Sequence, residues 1–240
     1  MRPDEIRDAV KRNVPVLMAS GSIEYHGPHL PIATDYLIAE AIVARVEKRC
    51  ECVVMPPLPF APTMFWAGGC EDGEFDFKPE AIRIYIKEIL LGLIKVGFRR
   101  IYILQHHQGA EGTPFLTLKQ AASEVMWEVA RDFKAAWGRD CTGDIPVPQI
   151  FSLMQVHPYI DNYSEYPPGS GEKIPIGHGG KGETQLIMAV YPETVKMEEL
   201  RDMKEKPSWL LDADEASIEE GERWVEFCVE GWVKELSKKI

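Results

Sequence analysis

Short apolar runs alternate with longer helical patterns along this chain of 240 residues, and this alternation constrains the fold more than any other feature. Val14 to Ala19 is a nearly continuous apolar run, as expected of a strand that is buried on both faces. Further strands are predicted at 53–60, 100–105 and 147–153; the first of these must end irregularly because it holds three prolines. The alternation predicts an α/β fold, with a mostly parallel central sheet flanked by helices in a single domain over residues 1–240.

Between these strands, apolar residues recur every three or four positions, as on the buried face of a helix. The predicted helices start at Asp35, run from Pro79 to Gly97, include Val125 to Phe133, and cover 184–191 and 214–239. Two stretches rich in glycine and proline, 56–73 and 164–182, are predicted to be active-site loops, because long structureless loops in compact domains are usually functional.

The charge and the cysteines exclude several classes of protein. A net charge of -11 argues against nucleic acid or an anionic membrane as a partner. Residues 1–13 lack the apolar core of a secretion signal, and no apolar run approaches the ~20 residues that span a bilayer. An odd number of cysteines without such a signal predicts free thiols in a cytoplasmic protein; these are Cys50, Cys52, Cys70, Cys141 and Cys228.

The segment from Gly21 to Asp35 follows the first predicted strand and holds a carboxylate and an imidazole at alternate positions. In an extended chain Glu24 and His26 project to the same side, so each can bind one metal of a close pair. Asp35 can bridge both metals with its two oxygens, and zinc and manganese accept such mixed ligands. Taken singly, Asp35 is more typical of a helix N-cap and His29 of a hydrogen-bonding loop residue. Their conjunction with Glu24 and His26 favours a metal site.

Two more segments carry histidines close to predicted strand or helix ends, where ligands bind in open α/β sheets. His106 and His107 follow the third strand, and only one of them is expected to face the site because neighbours in an extended chain point opposite ways. His178 and Glu183 lie in a glycine-rich segment at a helix start. A phosphate-binding loop is a weaker interpretation, because the G-x-x-x-x-G-K-[ST] pattern is absent.

Together, these three segments resemble the blocks of the creatininase family of metal-dependent amidohydrolases. GSIEYHGPHLPIATD resembles the family signature, and this resemblance implies that Glu24, His26 and Asp35 bind metal. GFRRIYILQHHQG resembles the second block, in which the metal-binding histidine aligns with His107. GHGGKGETQLIMAVYPETVKM resembles the third block, which implies proton transfer by His178 and a matching glutamate at Glu183.

The second block departs from the family pattern. Gln105, His106, Gln108 and Ala110 stand where asparagine, glycine, glycine and asparagine are usual, so these positions bear on the substrate. In creatininase itself the fifth metal ligand is a glutamate two residues past the histidine, where this chain has Gly109. Glu183 is therefore predicted as the fifth ligand, with Glu111 as the alternative. The candidate substrate-binding residues are His29, Gln105, His106 and Gln108.

The resemblance implies a binuclear hydrolase with two divalent ions, zinc or alternatively manganese or iron. The hypothesis is that Glu24 and His107 hold one ion, His26 and Glu183 the other, and Asp35 bridges. A metal-activated hydroxide would then attack the carbonyl of a cyclic amide, with His178 moving the proton. A hydrolase that opens a cyclic polyol ketone at a carbon–carbon bond is one alternative, and a non-catalytic metal- or ligand-binding relative is another.

The implied partners are a small-molecule substrate and further copies of the chain. Members of the family form oligomers, often hexamers, and Met64-Phe65-Trp66 is a candidate contact or lid in the first long loop. A serine or cysteine hydrolase is disfavoured, since no G-x-S-x-G elbow is present and no cysteine lies in the histidine-rich segments.

Overall fold

Four parallel strands form the central sheet in the computed structural model of the protein, which describes residues 1–64, 67–109, 111–132, 150–158 and 177–238. The strands are β1 (Val16–Ser20), β2 (Val53–Val54), β3 (Ile101–Gln105) and β4 (Met154–Pro158), in the spatial order β2-β1-β3-β4. Every neighbouring pair is parallel. The predicted fold class, a parallel sheet flanked by helices, is confirmed. The assignment of all 240 residues to one domain stays a prediction.

Seven helices connect and cover the strands in the described part of the chain. They are α1 (Pro3–Lys11), α2 (Thr34–Glu47), α3 (Pro79–Val96), α4 (Thr113–Asp132), α5 (Lys181–Val190), α6 (Met197–Arg201) and α7 (Ile218–Leu236). The predicted helices correspond to α2, α3, α4, α5 and α7, with ends shifted by a few residues. Phe133, expected in α4, lies outside the described residues. Helix α1 was not predicted; its single buried residue is Ala9, which gives little apolar signal.

Side chains of β1 and β3 alternate between two cores, as strand geometry requires. Val16 and Met18 pack with Ile101 and Ile103 against α3 and α4, and Ala9 of α1 joins the same core. Leu17, Ala19, Tyr102 and Leu104 pack against α2, α5 and α7 on the opposite face. Because helices cover both faces, every residue of β1 and β3 is buried, which explains their unbroken apolar runs.

Strand β2 is short because of the prolines that follow it. Pro56, Pro57 and Pro59 cannot donate ladder hydrogen bonds, so regular pairing stops at Val54. The chain returns to the sheet once, at Leu58, which forms an isolated bridge to Ser20. The expected irregular end of this strand is therefore confirmed.

The fourth strand lies later in the chain than predicted. The prediction of 147–153 was wrong: Ile150–Ser152 is a short 3-10 helix, and 147–149 lie outside the described residues. Strand β4 starts at Met154, which pairs with Ile101. The apolar run over 150–156 allows several registers, and the pairing with β3 selects one of them. Helix α7 likewise begins at Ile218 instead of Asp214, because the Ser217 hydroxyl caps it by accepting a hydrogen bond from the amide of Glu220.

The remaining predictions about this region concern loops and thiols. Within the first predicted loop, 56–73, the only helix among the described residues is the short turn Cys70–Asp72. Phe65 and Trp66 of the candidate lid lie outside the described residues. Residues 164–176 of the second predicted loop also lie outside them. The free thiols are Cys50, Cys52, Cys70 and Cys228; Cys141 is outside the described part. Among the helices that are described, none combines the length and apolar content needed to cross a membrane.

Candidate metal centre

The candidate site lies at the carboxyl end of the sheet, where β1 and β3 end side by side. The main-chain amide of His106 donates to the carbonyl of Ser20 at 2.9 Å, which holds the segments following the two strands together. The segment after β1 returns at once into α2, and this turn is tight. A Cβ on Gly21 would lie 2.4 Å from the amide nitrogen of Tyr36, so only glycine allows the first turn of α2 to approach β1 this closely.

Asp35 occupies the centre of the site and is 1% exposed. Its Oδ1 lies 3.1 Å from Nε2 of His26, and its Oδ2 lies 2.8 Å from Nδ1 of His107. The hydroxyl of Ser22 also donates to Oδ2. Helix α2 begins one residue earlier, at Thr34, and its N-cap is Ala33, so Asp35 lies inside the first turn. The N-cap interpretation of Asp35 is therefore wrong, because its carboxylate faces the histidines.

The ring of His26 is held in one tautomer. Its Nδ1–H donates to the carbonyl of Glu24 at 2.9 Å, and a carbonyl can only accept. In neutral His26 the lone pair is then on Nε2, which faces Asp35 at 3.1 Å and Oε2 of Glu183 at 3.4 Å. A histidine fixed at one nitrogen by a carbonyl, with the other facing carboxylates, is the arrangement typical of a metal ligand.

His106 and His107 both contact the carboxylates, which differs from the expectation that only one would face the site. His107 places Nδ1 3.0 Å from Oε2 of Glu24, and His106 places Nε2 3.2 Å from Oε1 of Glu183. The extended geometry ends with β3, so the side chains no longer alternate. The side-chain amide of Gln105 donates to the main-chain carbonyl of His107 at 2.7 Å, and Gln108 adopts a left-handed φ of 54°. This turn brings both rings to the same side.

Glu183 enters the site from the first turn of α5. Its Oε2 accepts a hydrogen bond of 2.6 Å from the amide of Gly179, while its Oε1 faces His106. Glu111, the alternative fifth ligand, is exposed and belongs to none of the donor groups in the described residues. The structure thus places Glu183, and not Glu111, among the other candidate ligands.

His178 lies at the rim of the cluster, with its side chain 30% exposed. Its Nε2–H donates to the carbonyl of Tyr25 at 2.6 Å, and its Nδ1 lies 3.7 Å from Oε2 of Glu24. The ring packs between His26, at 4.2 Å between centroids, and Trp209, at 5.0 Å. Its Nδ1 is therefore the nitrogen that faces the site.

Three of the four candidate substrate-binding residues have protein contacts of their own. Nε2 of His29 lies 2.9 Å from the hydroxyl of Thr184, the amide of Gln105 contacts His107, and His106 contacts Glu183. Gln108 is half-buried, and neither of its side-chain polar atoms has a hydrogen-bond partner in the described structure. A role of these residues in substrate binding stays a prediction.

The sequence reasoning did not assign roles to Ser22 and Trp209. Ser22 continues the period-two pattern of Glu24 and His26 on the same side of the chain, so its contact with Asp35 carried a detectable signal. Trp209 lies in the short 3-10 helix Ser208–Leu210, far from the histidine segments in sequence. Its packing against His178 left no local signal.

The charges of the cluster are strongly coupled. Burial would lower the pKa of His26, but the carboxylates of Asp35, Glu183 and Glu24 outweigh it and raise the pKa to about 10. His107 shows the same balance: Asp35 and Glu24 overcome burial and raise its pKa to about 10. Burial raises the pKa of Asp35, and His26 and His107 more than reverse this, so that it lies well below its usual range. Buried carboxylates at this site therefore demand positive charge beside them.

Three groups of side chains in the described residues can hold a metal ion, with donor atoms that all lie within 4.8 Å of one another in each group. Two of them share Asp35: one adds Glu24 and His107, and the other adds His26 and Glu183. The third consists of Glu24, His26 and His178. Mixed nitrogen and oxygen donors of this kind suit zinc, manganese or iron.

Comparison with known proteins connects this geometry to a family. The model of the creatininase family, described as creatinine amidohydrolase, matches residues 1–236. The chain belongs to the creatininase family. A creatinine amidohydrolase of Pseudomonas putida is 25% identical over 242 residues, covering 90% of this chain and 86% of that protein. A 3-dehydro-scyllo-inosose hydrolase of Thermotoga maritima is 24% identical over 199 residues, covering 82% of this chain and 57% of that longer protein.

Solved structures of creatininases share the fold. One described as creatininase with Mn has a TM-score of 0.74 at 22% identity, covering 98% of this chain and 95% of that one. A mutant creatininase of Zn-Zn type has a TM-score of 0.74 at 23% identity over the same shares of the two chains. With both sequence relatives acting as hydrolases, this member of the creatininase family is a hydrolase.

Proposed function

We propose that the chain is a binuclear metal-dependent hydrolase that opens a cyclic amide or a related C–N bond. The observation that carries this proposal is the position of Asp35, whose two oxygens face different donor groups. Oδ2 lies in the group with His107 and Glu24, and Oδ1 lies beside His26 and Glu183. A carboxylate between two such groups is suited to bridge two ions.

The residues fit two divalent ions on chemical grounds. Nε2 of His26 faces carboxylate oxygens of Asp35 and Glu183, and its other nitrogen already donates to the main-chain carbonyl of Glu24. The carboxylates of Glu24, Asp35 and Glu183 lie together, and no lysine or arginine of the described residues forms an ion pair with them, so the positive charge beside them must come from histidines or bound cations. We assign Glu24 and His107 to one ion, His26 and Glu183 to the other, and Asp35 to both. Bound divalent ions would polarise the substrate carbonyl and activate a water molecule at neutral pH.

His178 is assigned to proton transfer. Because Nε2–H is committed to the carbonyl of Tyr25, Nδ1 is the atom that accepts a proton on the side of Glu24. An imidazole can accept a proton from water and return it to a leaving nitrogen. Packing between His26 and Trp209 limits rotation of the ring and keeps Nδ1 directed at the site.

A second candidate reaction is the opening of a cyclic polyol ketone at a carbon–carbon bond. The similarity to a 3-dehydro-scyllo-inosose hydrolase over 82% of this chain supports it, at nearly the same identity as to the creatinine amidohydrolase. The polar side chain of Gln108, half-buried beside the two histidines, can serve a hydroxyl-rich substrate. Both reactions use the same donor groups and the same role for His178.

The test is a hydrolysis screen of cyclic amides and cyclic polyol ketones, comparing Glu183→Gln with Glu111→Gln. We expect turnover of one substrate class by the wild type, a loss of roughly 100-fold or more in Glu183→Gln, and no loss in the exposed control Glu111→Gln. Activity should disappear on chelation and return with divalent metal. Full activity after exhaustive chelation would overturn the metal-dependent mechanism, and a loss in Glu111→Gln alone would move the fifth ligand to Glu111.

A further inference from the structure

The two donor groups that share Asp35 differ in how closely histidines approach their glutamates. Beside Glu24, Nδ1 of His107 lies at 3.0 Å, and Nδ1 of His178, at the rim of the site, lies further away at 3.7 Å. Beside Glu183 there are two close and well-buried ring nitrogens, because Nε2 of His26 lies 3.4 Å from Oε2 and Nε2 of His106 lies 3.2 Å from Oε1. His106 also approaches Oδ1 of Asp35, at 3.5 Å. The site is thus asymmetric.

We propose that His106 is a metal ligand that completes a four-donor set with His26, Asp35 and Glu183, so that one ion is held more tightly than the other. This inference rests on the proposed binuclear function and goes beyond it in assigning unequal roles to the two ions. The tighter ion is held by two nitrogen and two carboxylate donors. The weaker ion is held by Glu24, Asp35 and His107.

The distances around His106 agree with a tetrahedral ion. Bonds of about 2.0–2.1 Å in a tetrahedral zinc site place the donor atoms about 3.3 Å from one another. The distances from Nε2 of His26 to Asp35 and Glu183 are 3.1 and 3.4 Å. The distances from Nε2 of His106 to Asp35 and Glu183 are 3.5 and 3.2 Å. All four lie close to the separation expected of donors on one tetrahedral ion, with Oε2 of Glu183 facing His26 and Oε1 facing His106, so the Glu183 carboxylate would bind through both oxygens or rotate slightly.

The backbone fixes His106 in this position. Its side chain is 4% exposed, and it directly follows the last residue of β3. Its main-chain amide is bonded to Ser20 at the end of β1, so the ring is carried by the two central strands of the sheet. A ligand that is placed by rigid strands needs little rearrangement to bind, which favours high affinity.

The other half of the site has the features of an exchangeable position. Glu24, Asp35 and His107 supply three donors, and catalytic metals typically keep one position open for water or substrate. His178 lies on this side, with Nδ1 3.7 Å from Glu24. The proton-transfer residue is therefore next to the ion with fewer protein ligands, while the four-donor ion lies on the side of α5.

A simpler role for His106 is to donate a hydrogen bond to Oε1 of Glu183 and hold that carboxylate in place. The two roles respond differently to substitution. His106→Gln keeps an N–H donor but removes the imidazole, whereas His106→Ala removes both. If His106 only positions Glu183, glutamine restores the wild-type metal affinity; if it is a ligand, glutamine does not.

The experiment is a graded chelator dialysis of the purified full chain, with bound metal measured by elemental analysis and no activity assay. The wild type should lose one ion at low chelator and retain the second until the chelator concentration is roughly 100-fold higher. In His106→Ala and His106→Gln the retained ion should leave with the first. The matched control is His157→Gln, a histidine that contacts Gln155 outside the cluster, and it should behave as the wild type.

Cobalt substitution gives an independent readout of the same claim. Refilling the more retained site with Co²⁺ should give the intense visible absorption of a four-coordinate ion in the wild type, and a weaker, shifted band in His106→Gln. Retention and spectrum unchanged in both His106 variants, with two ions still bound, would overturn the role of His106 and leave the binuclear site standing. A wild type that binds no ion at all would instead overturn the proposed function.

Discussion

Asp35 shows how one buried side chain sets the charge of its surroundings. It is in contact with His26 and His107, and in the protein without metal these two rings carry the positive charge that the carboxylates require. Burial alone would lower the pKa of both histidines, and the neighbouring carboxylates instead raise it to about 10, because they favour a cation beside them. Divalent ions bound by the same donors would supply this positive charge in place of the protons.

The first prediction is that metal binding releases protons. Because both histidines have a pKa of about 10 in the metal-free folded protein and metal binds the neutral ring, up to two protons should leave per chain near pH 7. The release should shrink as the pH rises toward 10, where the rings are already neutral. Calorimetric titration in buffers of different ionisation enthalpy measures it.

The matched variant for this prediction is His107→Gln, which should release one proton fewer than the wild type.

The same raised pKa values determine how the free energy of unfolding depends on pH. In the metal-free protein, the stabilisation from these contacts is complete below the unfolded pKa near 6.5 and is lost as the pH rises through about 10. A heat of binding that is the same in every buffer near pH 7 would show that His26 and His107 are not protonated there.

At the residue scale, the grouping of the candidate ligands could be predicted from sequence because they lie in short segments with readable spacing. Glu24 and His26 share one side of an extended stretch, and Asp35 follows at the start of α2. The orientation of His106 could not be predicted, because it depends on the backbone leaving the strand at Gln105 and turning at Gln108. The contact of Trp209 with His178 depends on tertiary packing alone.

Among the helices, the contact between α5 and α7 matters most for the site, since α5 carries Glu183 in its first turn. Gly221 of α7 lies against the carbonyl of Gln185 in α5, and a Cβ at this position would come within 1.9 Å of that oxygen. No side chain can be placed there without separating the two helices. The absence of a side chain at Gly221 therefore sets how closely α5 can approach α7.

The second prediction compares two glycines of the same helix. Gly221→Ala should destabilise the protein by about 1–3 kcal/mol or more, since the clash is with main chain, and should weaken metal binding by shifting Glu183. Gly231→Ala meets nothing within 4 Å and should stabilise α7 by up to about 1 kcal/mol. Chemical denaturation of both variants measures the difference. Equal effects of the two substitutions would show that α5 and α7 are not packed at Gly221.

Elements with one strong periodic pattern could be predicted, and elements defined by their partners could not. Strands β1 and β3 are continuous apolar runs, and α3 has its proline at the start and Gly97 at its end. The predicted position of strand β4 was several residues too early, because an apolar run does not reveal which residue pairs with Ile101. Helix α1 was missed because its residues are mostly charged and its only buried side chain is small.

For the whole molecule, the site depends on three segments that are far apart in sequence. Residues 22–35, 106–107 and 178–183 meet only because β1 and β3 are adjacent and α5 packs over the same end of the sheet. Ions that bind all three segments bind the folded chain and not the unfolded one, so they stabilise the fold as well as the site. The net charge of -11 adds to the attraction of cations. Assembly into a homo-oligomer stays a prediction.

The measurement that tests the central claim most directly is the metal content of the full chain, purified without chelator, by elemental analysis beside Asp35→Ala. We predict close to two divalent ions per wild-type chain and a loss of both in the variant, because the two donor groups assigned to the ions both contain Asp35. Circular dichroism shows whether the variant is folded, and Asp35→Asn provides a second, isosteric substitution. One ion or none in the wild type, or two ions retained in both folded variants, would contradict a binuclear site bridged by Asp35.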